Sequence, residues 1–392
     1  MSLIQSKLSD TVLTILLRGR IDSVTAPAVE SEIEAARAET PHTALILDAD
    51  ALEYVSSAGL RVILRLRKAE KEFRFINASP DVYDVLEMTG FTEMIPVEKA
   101  FRRLSVDGCP VIGKGAKGTV YRYNGDTIVK VYRDADSLPL IRRERELARR
   151  AFVLGIPTAI SYDVVRVGES YGSVFELLDA KSFTQLIAED PARLPELVRI
   201  YAEMLRQIHQ TTVRPEDMPD IKEKIRRWCS DVVPYLPPES CAKLRALVEA
   251  VPDTMNMLHF DYHTNNVMMQ GSEALLIDMD TLCHGHPIFE LVNVYATYVG
   301  LGEVDPSVVE KFMALPYATT TAIWKTFLPI YLGTDDEARI REVEEKTQLL
   351  AAVRLLRHVA NRWTDSDTDR KTAEYCAEKI RRLLERVSEL AF

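Results

Sequence analysis

Four short motifs follow one another in a fixed order, and this order constrains the fold of the chain more than any other feature. The first is a glycine-rich stretch that begins at Gly113, and the second is Lys130 within an apolar β-type run. The third places Asp261 five residues before Asn266, and the fourth is an apolar stretch that ends in Asp278. Each motif alone has an ordinary structural explanation in a turn or a cap. Together and in this order they favour a fold that handles phosphate groups.

The glycine-rich stretch predicts a loop between two strands. Gly113, Gly115 and Gly118 form a GxGxxGxV sequence that runs into a second β-rich segment. Glycines let the backbone approach phosphate oxygens closely, and the amides of such a loop can point at them. Because a strand rather than a helix is expected after the loop, the stretch does not fit a dinucleotide-binding fingerprint.

Lys130 lies in an apolar run, where burial of an ammonium is costly unless a carboxylate pairs with it. The functional interpretation is a phosphate-binding lysine held by an acidic residue of the next helix. Glu144 is the first choice for that partner and Glu146 the second. The alternative is an edge-strand lysine whose ammonium reaches solvent.

The third and fourth motifs carry the groups that phosphoryl transfer requires. Asp261 can accept the proton of an attacking hydroxyl. The amide oxygen of Asn266 and the carboxylate of Asp278 are oxygen ligands of the kind that Mg²⁺ prefers.

With these motifs, residues 107–392 resemble the aminoglycoside phosphotransferase and choline kinase superfamily of protein-kinase-like enzymes. The resemblance implies a bilobal kinase-like fold that uses ATP and Mg²⁺. It implies that Asp261 is catalytic, that Asn266 and Asp278 bind the metal, and that Lys130 binds the nucleotide. The stretch from Phe175 to Leu178 resembles the hinge strand that meets adenine, which adds Glu176 and Leu178 to the cofactor-binding residues.

Two departures from protein kinases favour a small-molecule acceptor over a protein. His263 stands two residues after Asp261, where protein kinases usually have lysine. Glu290 follows Asp278 by only twelve positions, which leaves little room for an activation segment. Glu290 itself replaces the aspartate of the family's GxPxxDL motif, so its role stays open. Asp280 is interpreted either as a contact to a second metal ion or as a helix cap.

Residues 1–104 alternate between strand and helix patterns and resemble the anti-sigma-factor antagonist (STAS) family. The sequence around Tyr54 to Val62 is the most specific stretch, and it places Ser57 at the start of a helix. Family members that act as switches carry a phosphorylatable serine there, and a helix N-terminus tolerates phosphate well. The residue before it is Ser56 rather than the usual aspartate, and either serine could instead only cap the helix.

The predicted fold class is therefore α/β plus α+β: a small STAS domain, then a bilobal kinase-like domain at 105–392. We expect the small lobe at about 105–178 and the large lobe at about 179–392. The net charge of −10 disfavours nucleic acid as a partner. The five scattered cysteines disfavour a zinc site or disulfides. No signal-type or membrane-spanning apolar run is present, so a cytoplasmic location is expected.

The sequence thus predicts an ATP- and Mg-dependent phosphotransferase that acts on a small-molecule hydroxyl. The STAS domain would bind a protein partner or regulate turnover. Two alternatives remain: a signalling scaffold with a nucleotide-binding pseudokinase, and a kinase that phosphorylates a STAS serine. Three aromatic residues of the C-terminal part are expected to fill the core rather than a pocket: Trp324, Tyr331 and Trp363.

Overall fold

The structure is a computed structural model that describes residues 3–115, 117–362 and 367–392. The chain divides into two compact units. The first comprises residues 1–105 with 164–168, and the second comprises residues 106–163 with 169–392.

The first unit is built on a five-stranded sheet in the order β1-β2-β3-β4-β5. β1 is antiparallel to β2, and the remaining neighbours are parallel. A sixth strand, β6, pairs in parallel with Val165 and Arg166. The strands are β1 (Ile4–Ser9), β2 (Val12–Ile21), β3 (Ala44–Val55), β4 (Glu72–Ala78), β5 (Val97–Lys99) and β6 (Arg102–Arg103).

The helix predicted to start at Ser57 is present as α2, and three further helices accompany it. Ser79 accepts a hydrogen bond from the amide of Val82, which fixes the start of the third helix. Val29, Ile33 and Leu66 are buried in the common core with the apolar residues of the sheet. The helices are α1 (Ala26–Glu39), α2 (Ser57–Ala69), α3 (Pro80–Met88) and α4 (Phe91–Met94).

The second unit opens with an antiparallel sheet in the order β7-β8-β9-β11. Helix α5 follows β9 in the chain. The turn between β8 and β9 is fixed by the Asn124 side chain, whose Oδ1 accepts hydrogen bonds from Asp126 and Thr127. The elements are β7 (Val111–Lys114), β8 (Gly118–Arg122), β9 (Thr127–Tyr132), α5 (Leu138–Val153) and β11 (Ser170–Glu176). Between α5 and β11 the chain forms β10 (Asp163–Val167), of which residues 164–167 belong to the first unit. The strand β10 contains the residues that pair with β6.

The remainder of the second unit is mostly helical, with short strands that carry the motif residues. Every residue of α10 is buried, so this helix is the centre of the large lobe. The helices are α6 (Phe183–Glu189), α7 (Leu194–Gln210), α8 (Ile221–Asp231), α9 (Pro238–Glu249), α10 (Ile288–Tyr298), α11 (Pro306–Met313), α12 (Tyr317–Leu332), α13 (Glu337–Arg362) and α14 (Asp367–Arg386). The strands are β12 (Lys181–Ser182), β13 (Met257–Leu258), β14 (Val267–Gln270), β15 (Glu273–Leu276) and β16 (Cys283–His284).

The predicted fold class is confirmed, because the first unit is a sheet with helices and the second joins a small β-rich part to a helical part. Trp324 and Tyr331 are buried in the large core as expected, whereas Trp363 lies outside the described residues. Within the described ranges, no helix combines the length and the apolar character that crossing a bilayer would require.

Candidate active site

Lys130 on β9 lies at the centre of a charged cluster in the second unit. Its Nζ is 2.9 Å from Oε1 of Glu144 on α5 and 3.0 Å from Oδ1 of Asp278. Burial opposes the charged form of this ammonium, but the two carboxylates outweigh burial and raise its pKa. Glu146, the second candidate partner, instead pairs with Arg150 on the outer side of α5. The contact of Lys130 is therefore with the first-choice helix residue, Glu144.

Glu144 is fixed by a second contact inside the small lobe. The hydroxyl of Tyr132 donates to Oε2 of Glu144 at 2.7 Å, while Lys130 occupies Oε1. Burial, followed by the negative charge of Glu144, raises the pKa of Tyr132, so the phenol remains a donor. Both oxygens of Glu144 thus have partners, which orients the carboxylate toward Lys130.

Three carboxylates converge where β15 ends and a short turn begins. Ligand atoms of Glu144, Asp278 and Asp280 lie within 4.8 Å of one another. Asp280 forms an ion pair with Lys117 of the glycine-rich loop. Its Oδ2 is nevertheless buried and accepts no hydrogen bond of normal geometry from the described residues. No helix cap by Asp280 is found in the parts of the chain that the structure describes. A set of carboxylate oxygens this close together is suited to a hard divalent cation.

The glycine-rich loop connects β7 to β8 as a hairpin, in which the amide of Gly115 donates to the carbonyl of Gly118 at 2.9 Å. Gly113 pairs with Val120 across the hairpin. Gly118 has a further constraint, because a Cβ at this position would lie 2.2 Å from the carbonyl oxygen of Val131 on β9. A side chain there is incompatible with this strand spacing.

Asp261 lies in the loop between β13 and β14, with its side chain 41% exposed. Its Oδ1 is 3.6 Å from Nε2 of His263. Burial acts to raise the pKa of the Asp261 carboxyl. His263, with smaller contributions from His259 and Arg354, overcomes that effect and lowers the pKa to about 2. The carboxylate is therefore ionised at neutral pH and accessible to an incoming hydroxyl.

Asn266 at the end of this loop is placed next to both Asp261 and the carboxylate cluster. Its Nδ2 donates to the backbone carbonyl of Asp261 at 3.0 Å and lies 3.3 Å from Oδ2 of the same residue. Its backbone carbonyl accepts the amide of Ile277, the residue before Asp278. With Nδ2 used in this way, the amide oxygen of Asn266 is the atom left available to a metal ion or other ligand.

Two side chains of α10 hold the loop that carries Asp261 at Phe260, whose φ of 64° is unusual for a bulky residue. Oε2 of Glu290 accepts the amide of Phe260 at 2.7 Å. Nδ2 of Asn293 donates to the carbonyl of Phe260 at 2.9 Å. Glu290 is fully buried, so the acid left without a role by the sequence supports the backbone conformation that precedes Asp261.

Tyrosine side chains of α7 and α10 contact the rest of the loop. Tyr201 of α7 and Tyr262 stack at 4.3 Å, and each hydroxyl donates to the backbone carbonyl of the other residue. The hydroxyl of Tyr298 accepts the amide of Thr264 at 2.8 Å. His259 is buried beneath the loop, where burial lowers its pKa. The backbone of the loop is therefore held by side chains of α7 and α10 on its buried side.

The hinge stretch follows β11. Glu176 is exposed and pairs with Thr127, and the amide of Leu177 donates to the carbonyl of Asp126. Among the described residues, the amide of Leu178 has no backbone partner. Within the predicted hinge stretch, the Leu178 amide is therefore a donor that a ligand could use.

In the first unit, the two serines at the start of α2 have different roles. The hydroxyl of Ser56 accepts the amide of Ala58 at 3.2 Å, so Ser56 is the N-cap. Ser57 is the first helical residue and is exposed. The capping interpretation therefore applies to Ser56 and leaves the hydroxyl of Ser57 accessible.

The family model of phosphotransferase enzymes (APH) matches residues 108–319, which is more than half of the 392 residues. The chain belongs to this phosphotransferase family. A second family model, that of the STAS domain, matches residues 4–104, so this phosphotransferase carries an N-terminal STAS domain.

Individual relatives divide between the two domains. Over 92 residues the chain is 36% identical to BtrV of Bordetella bronchiseptica, a proposed anti-sigma factor antagonist, which covers 22% of this chain and 78% of that protein. A thermostable mutant of aminoglycoside phosphotransferase APH(4)-Ia matches 71% of this chain and 94% of its own, with 13% identity and a TM-score of 0.47. An anti-sigma factor antagonist of Mycobacterium paratuberculosis matches 24% and 83%, with 30% identity and a TM-score of 0.23.

Sequence reasoning missed the residues that support or adjoin this phosphotransferase site. Lys117 and Asn293 carry no motif signal, because their partners lie far away in the chain. Glu290 and Asp280 were visible as acids at notable positions, but only their contacts give them a place in the site.

Proposed function

We propose that this protein transfers the γ-phosphoryl group of ATP to a hydroxyl of a small molecule, with Mg²⁺ as cofactor. The observation that carries the proposal is the cluster in which Lys130 joins Glu144 to Asp278 beside the Asp261 loop. A buried lysine between two carboxylates suits a phosphate ligand, because its ammonium is held in place and charged.

The nucleotide would bind along the small lobe. The amides of the loop formed by Gly113, Gly115 and Gly118 would face the phosphates, and Lys130 would contact the α- and β-phosphates, oriented by Glu144. The backbone from Glu176 to Leu178 would receive adenine, with the Leu178 amide as donor. Asn266 and Asp278 would hold Mg²⁺, which supplies neutralisation of the phosphate charge when bound. The carboxylate of Asp280 is a further candidate ligand, since its ligand atom lies within 4.8 Å of those of Glu144 and Asp278.

Asp261 would act on the acceptor. Its carboxylate accepts the proton of the acceptor hydroxyl as the hydroxyl oxygen forms a bond to the γ-phosphorus. The bond from that phosphorus to the bridging oxygen breaks, and ADP leaves with the electron pair. Because the pKa of Asp261 is about 2, this carboxylate is a weak base, and its main contribution would be to orient the nucleophile.

The boundaries that we propose are 1–104 for the STAS regulatory domain and 105–392 for the kinase domain, with lobes meeting near 178. A protein partner would bind the STAS domain, and the cytoplasm is the proposed location.

Exposure of Ser57 at the start of α2 favours one further candidate activity, phosphorylation of a STAS serine by a kinase.

The proposal is tested first at the metal ligand. Asp278→Asn should abolish turnover and weaken Mg-ATP binding, because a neutral amide is a poor ligand in a site that balances phosphate charge. Binding is measured as the thermal shift of the full chain with Mg-ATP, and turnover as ADP release. Asp335→Asn, an exposed aspartate of the same unit, is the control and should match the wild type.

A second variant separates the base from the metal ligands. Asp261→Asn should retain the Mg-ATP shift but lose turnover by about 10²-fold or more, because the variant loses the carboxylate that orients the hydroxyl and accepts its proton. Absence of any shift with Mg-ATP in the wild type would refute nucleotide binding. A shift without turnover on any hydroxyl compound would instead support the scaffold alternative.

A further inference from the structure

A cavity of about 480 Å³ opens beside the catalytic loop, between α8 and α13. Its lining includes Lys224, Arg227 and Trp228 of α8 and Arg357 of α13. Asp231, the one carboxylate among its lining residues, is already bound to Arg357, with Nε to Oδ2 at 2.7 Å. The cavity wall therefore carries an excess of positive charge.

Most of this positive charge has no counter-ion. Among the described residues, no carboxylate lies within ion-pairing distance of the lining residues Lys224 and Arg227, whereas Arg357 pairs with Asp231. Arg354, one turn before Arg357 on α13, is not among the lining residues. Burial lowers the pKa of Lys224, and the nearby Arg354, Arg357 and Arg227 lower it further. Such mutual repulsion destabilises the free protein and would be relieved by an anion.

A second, independent observation points to a ligand at the same place. The indole ring of Trp228 is 2% exposed, and its Nε1 is buried without a hydrogen-bond partner among the described residues. A buried donor without an acceptor costs roughly 1–3 kcal/mol. Because Trp228 lines the cavity, a ligand oxygen there could satisfy this donor.

The cavity adjoins the residues that would carry out the transfer. The Lys224 ammonium lies 4.6 Å from the ring centroid of Phe260, the residue before Asp261. Trp228 packs against the same ring, with the centroids 5.8 Å apart. The positive charge of Arg354 acts directly on the Asp261 carboxylate. An acceptor bound in this cavity would thus be within reach of the catalytic loop.

We infer that the acceptor is an anionic alcohol, whose carboxylate or phosphate group binds among Lys224, Arg227 and Arg357 and accepts the Trp228 indole N–H. This inference rests on the proposed function, since it assigns the substrate class of that site. Guanidinium and ammonium groups that converge on one cavity bind carboxylate and phosphate oxygens through charge-assisted hydrogen bonds. A cationic alcohol would be repelled from the same wall.

The test compares acceptors that differ mainly in charge, using the full chain with Mg-ATP. Glycerate and glycerol 3-phosphate are the two anionic probes, glycerol is the neutral probe and choline is the cationic probe. ADP release should be stimulated by at least one anion and by neither of the other two. Calorimetry with the protein saturated by Mg-ADP measures binding of each probe without requiring turnover.

Two variants locate the binding to the cavity. Lys224→Gln should raise the KM or Kd of the preferred anion about ten-fold, which corresponds to ~1.4 kcal/mol. Trp228→Phe keeps an aromatic ring but removes the indole N–H, and should weaken binding of the anion several-fold. The matched control is Arg226→Gln on the same helix, since Arg226 pairs with Glu249 outside the cavity. Its anion binding should equal that of the wild type.

The outcomes separate this inference from the proposed function. Preference for choline or glycerol, with Mg-ATP turnover intact, would overturn the inference and leave the phosphotransferase in place. Anion binding that Lys224→Gln does not change would also overturn it. Anion binding that depends on Lys224 in a protein that never releases ADP would support the anionic cavity while refuting the proposed transfer.

Discussion

The carboxyl group of Asp261 is subject to two opposing effects. Burial favours its neutral form, whereas His263 at 3.6 Å favours the carboxylate, and the histidine prevails with a pKa of about 2. An ionised carboxylate with so low a pKa loses its charge only far below neutral pH. The acid limb of the activity profile should therefore not report Asp261 in the wild-type protein.

The variant His263→Gln tests this balance. Removing the histidine leaves burial as the dominant effect, so the pKa of Asp261 should rise from about 2 toward or above its ordinary value near ~4. Because the base must be ionised, activity in the variant should be lost at a higher pH than in the wild type as the pH falls. The measurement is kcat/KM between acid and neutral pH.

His42→Gln provides the control, because His42 lies in the STAS domain, where it contacts Glu70. Its profile should overlay that of the wild type. An unchanged acid limb in His263→Gln, with the fold intact by circular dichroism, would contradict the assignment of His263 as the group that keeps Asp261 ionised.

At the scale of elements, the strand pair β8–β9 depends on one position without a side chain. A Cβ on Gly118 would lie 2.2 Å from the Val131 carbonyl, a contact that the two strands can relieve only by moving apart. Gly118→Ala should therefore shift the strand that carries Lys130. We expect a lower melting temperature and a smaller Mg-ATP thermal shift.

Gly125→Ala is the matched control, because a Cβ there meets no atom within 4 Å and the residue does not have a positive φ. It should keep the wild-type melting temperature and nucleotide shift. Equal behaviour of the two variants would show that the glycine-rich loop does not need the strand spacing that the structure gives it.

The same scale shows what the sequence could and could not predict. The start of α2 and the strand β9 follow from local signals, a capping serine and an apolar β-type run. The strand β1 escaped prediction because nearly all of its residues are exposed on the sheet edge, and an edge strand need not show an apolar pattern. Two contacts hold the loop that carries Asp261. The Glu290–Phe260 contact joins residues 30 positions apart, and the Tyr201–Tyr262 contact joins residues 61 positions apart. No local pattern records such pairs.

At the scale of the whole molecule, one chain joins a STAS domain to a phosphotransferase domain. Linkage raises the effective concentration of each domain for the other, so that even a weak interaction could be populated. Ser57 is exposed at the N-terminus of α2 while Ser56 provides the cap, so phosphate could be added at Ser57 without removing the cap. We propose that Ser57 is a switch position for turnover or for partner binding.

A phosphate on Ser57 would add close to two negative charges to the STAS surface, enough to release or create a contact there. Ser57→Asp in the full chain should therefore change the steady-state rate relative to Ser57→Ala, which keeps the helix and removes the hydroxyl. The measurements are ADP release and mass spectrometry for phosphoserine after incubation with Mg-ATP. Ser9→Asp and Ser9→Ala, at an exposed serine of the same domain, control for added charge. Equal rates for both Ser57 variants and the wild type, without phosphoserine, would reduce the STAS domain to an adaptor that does not control the kinase.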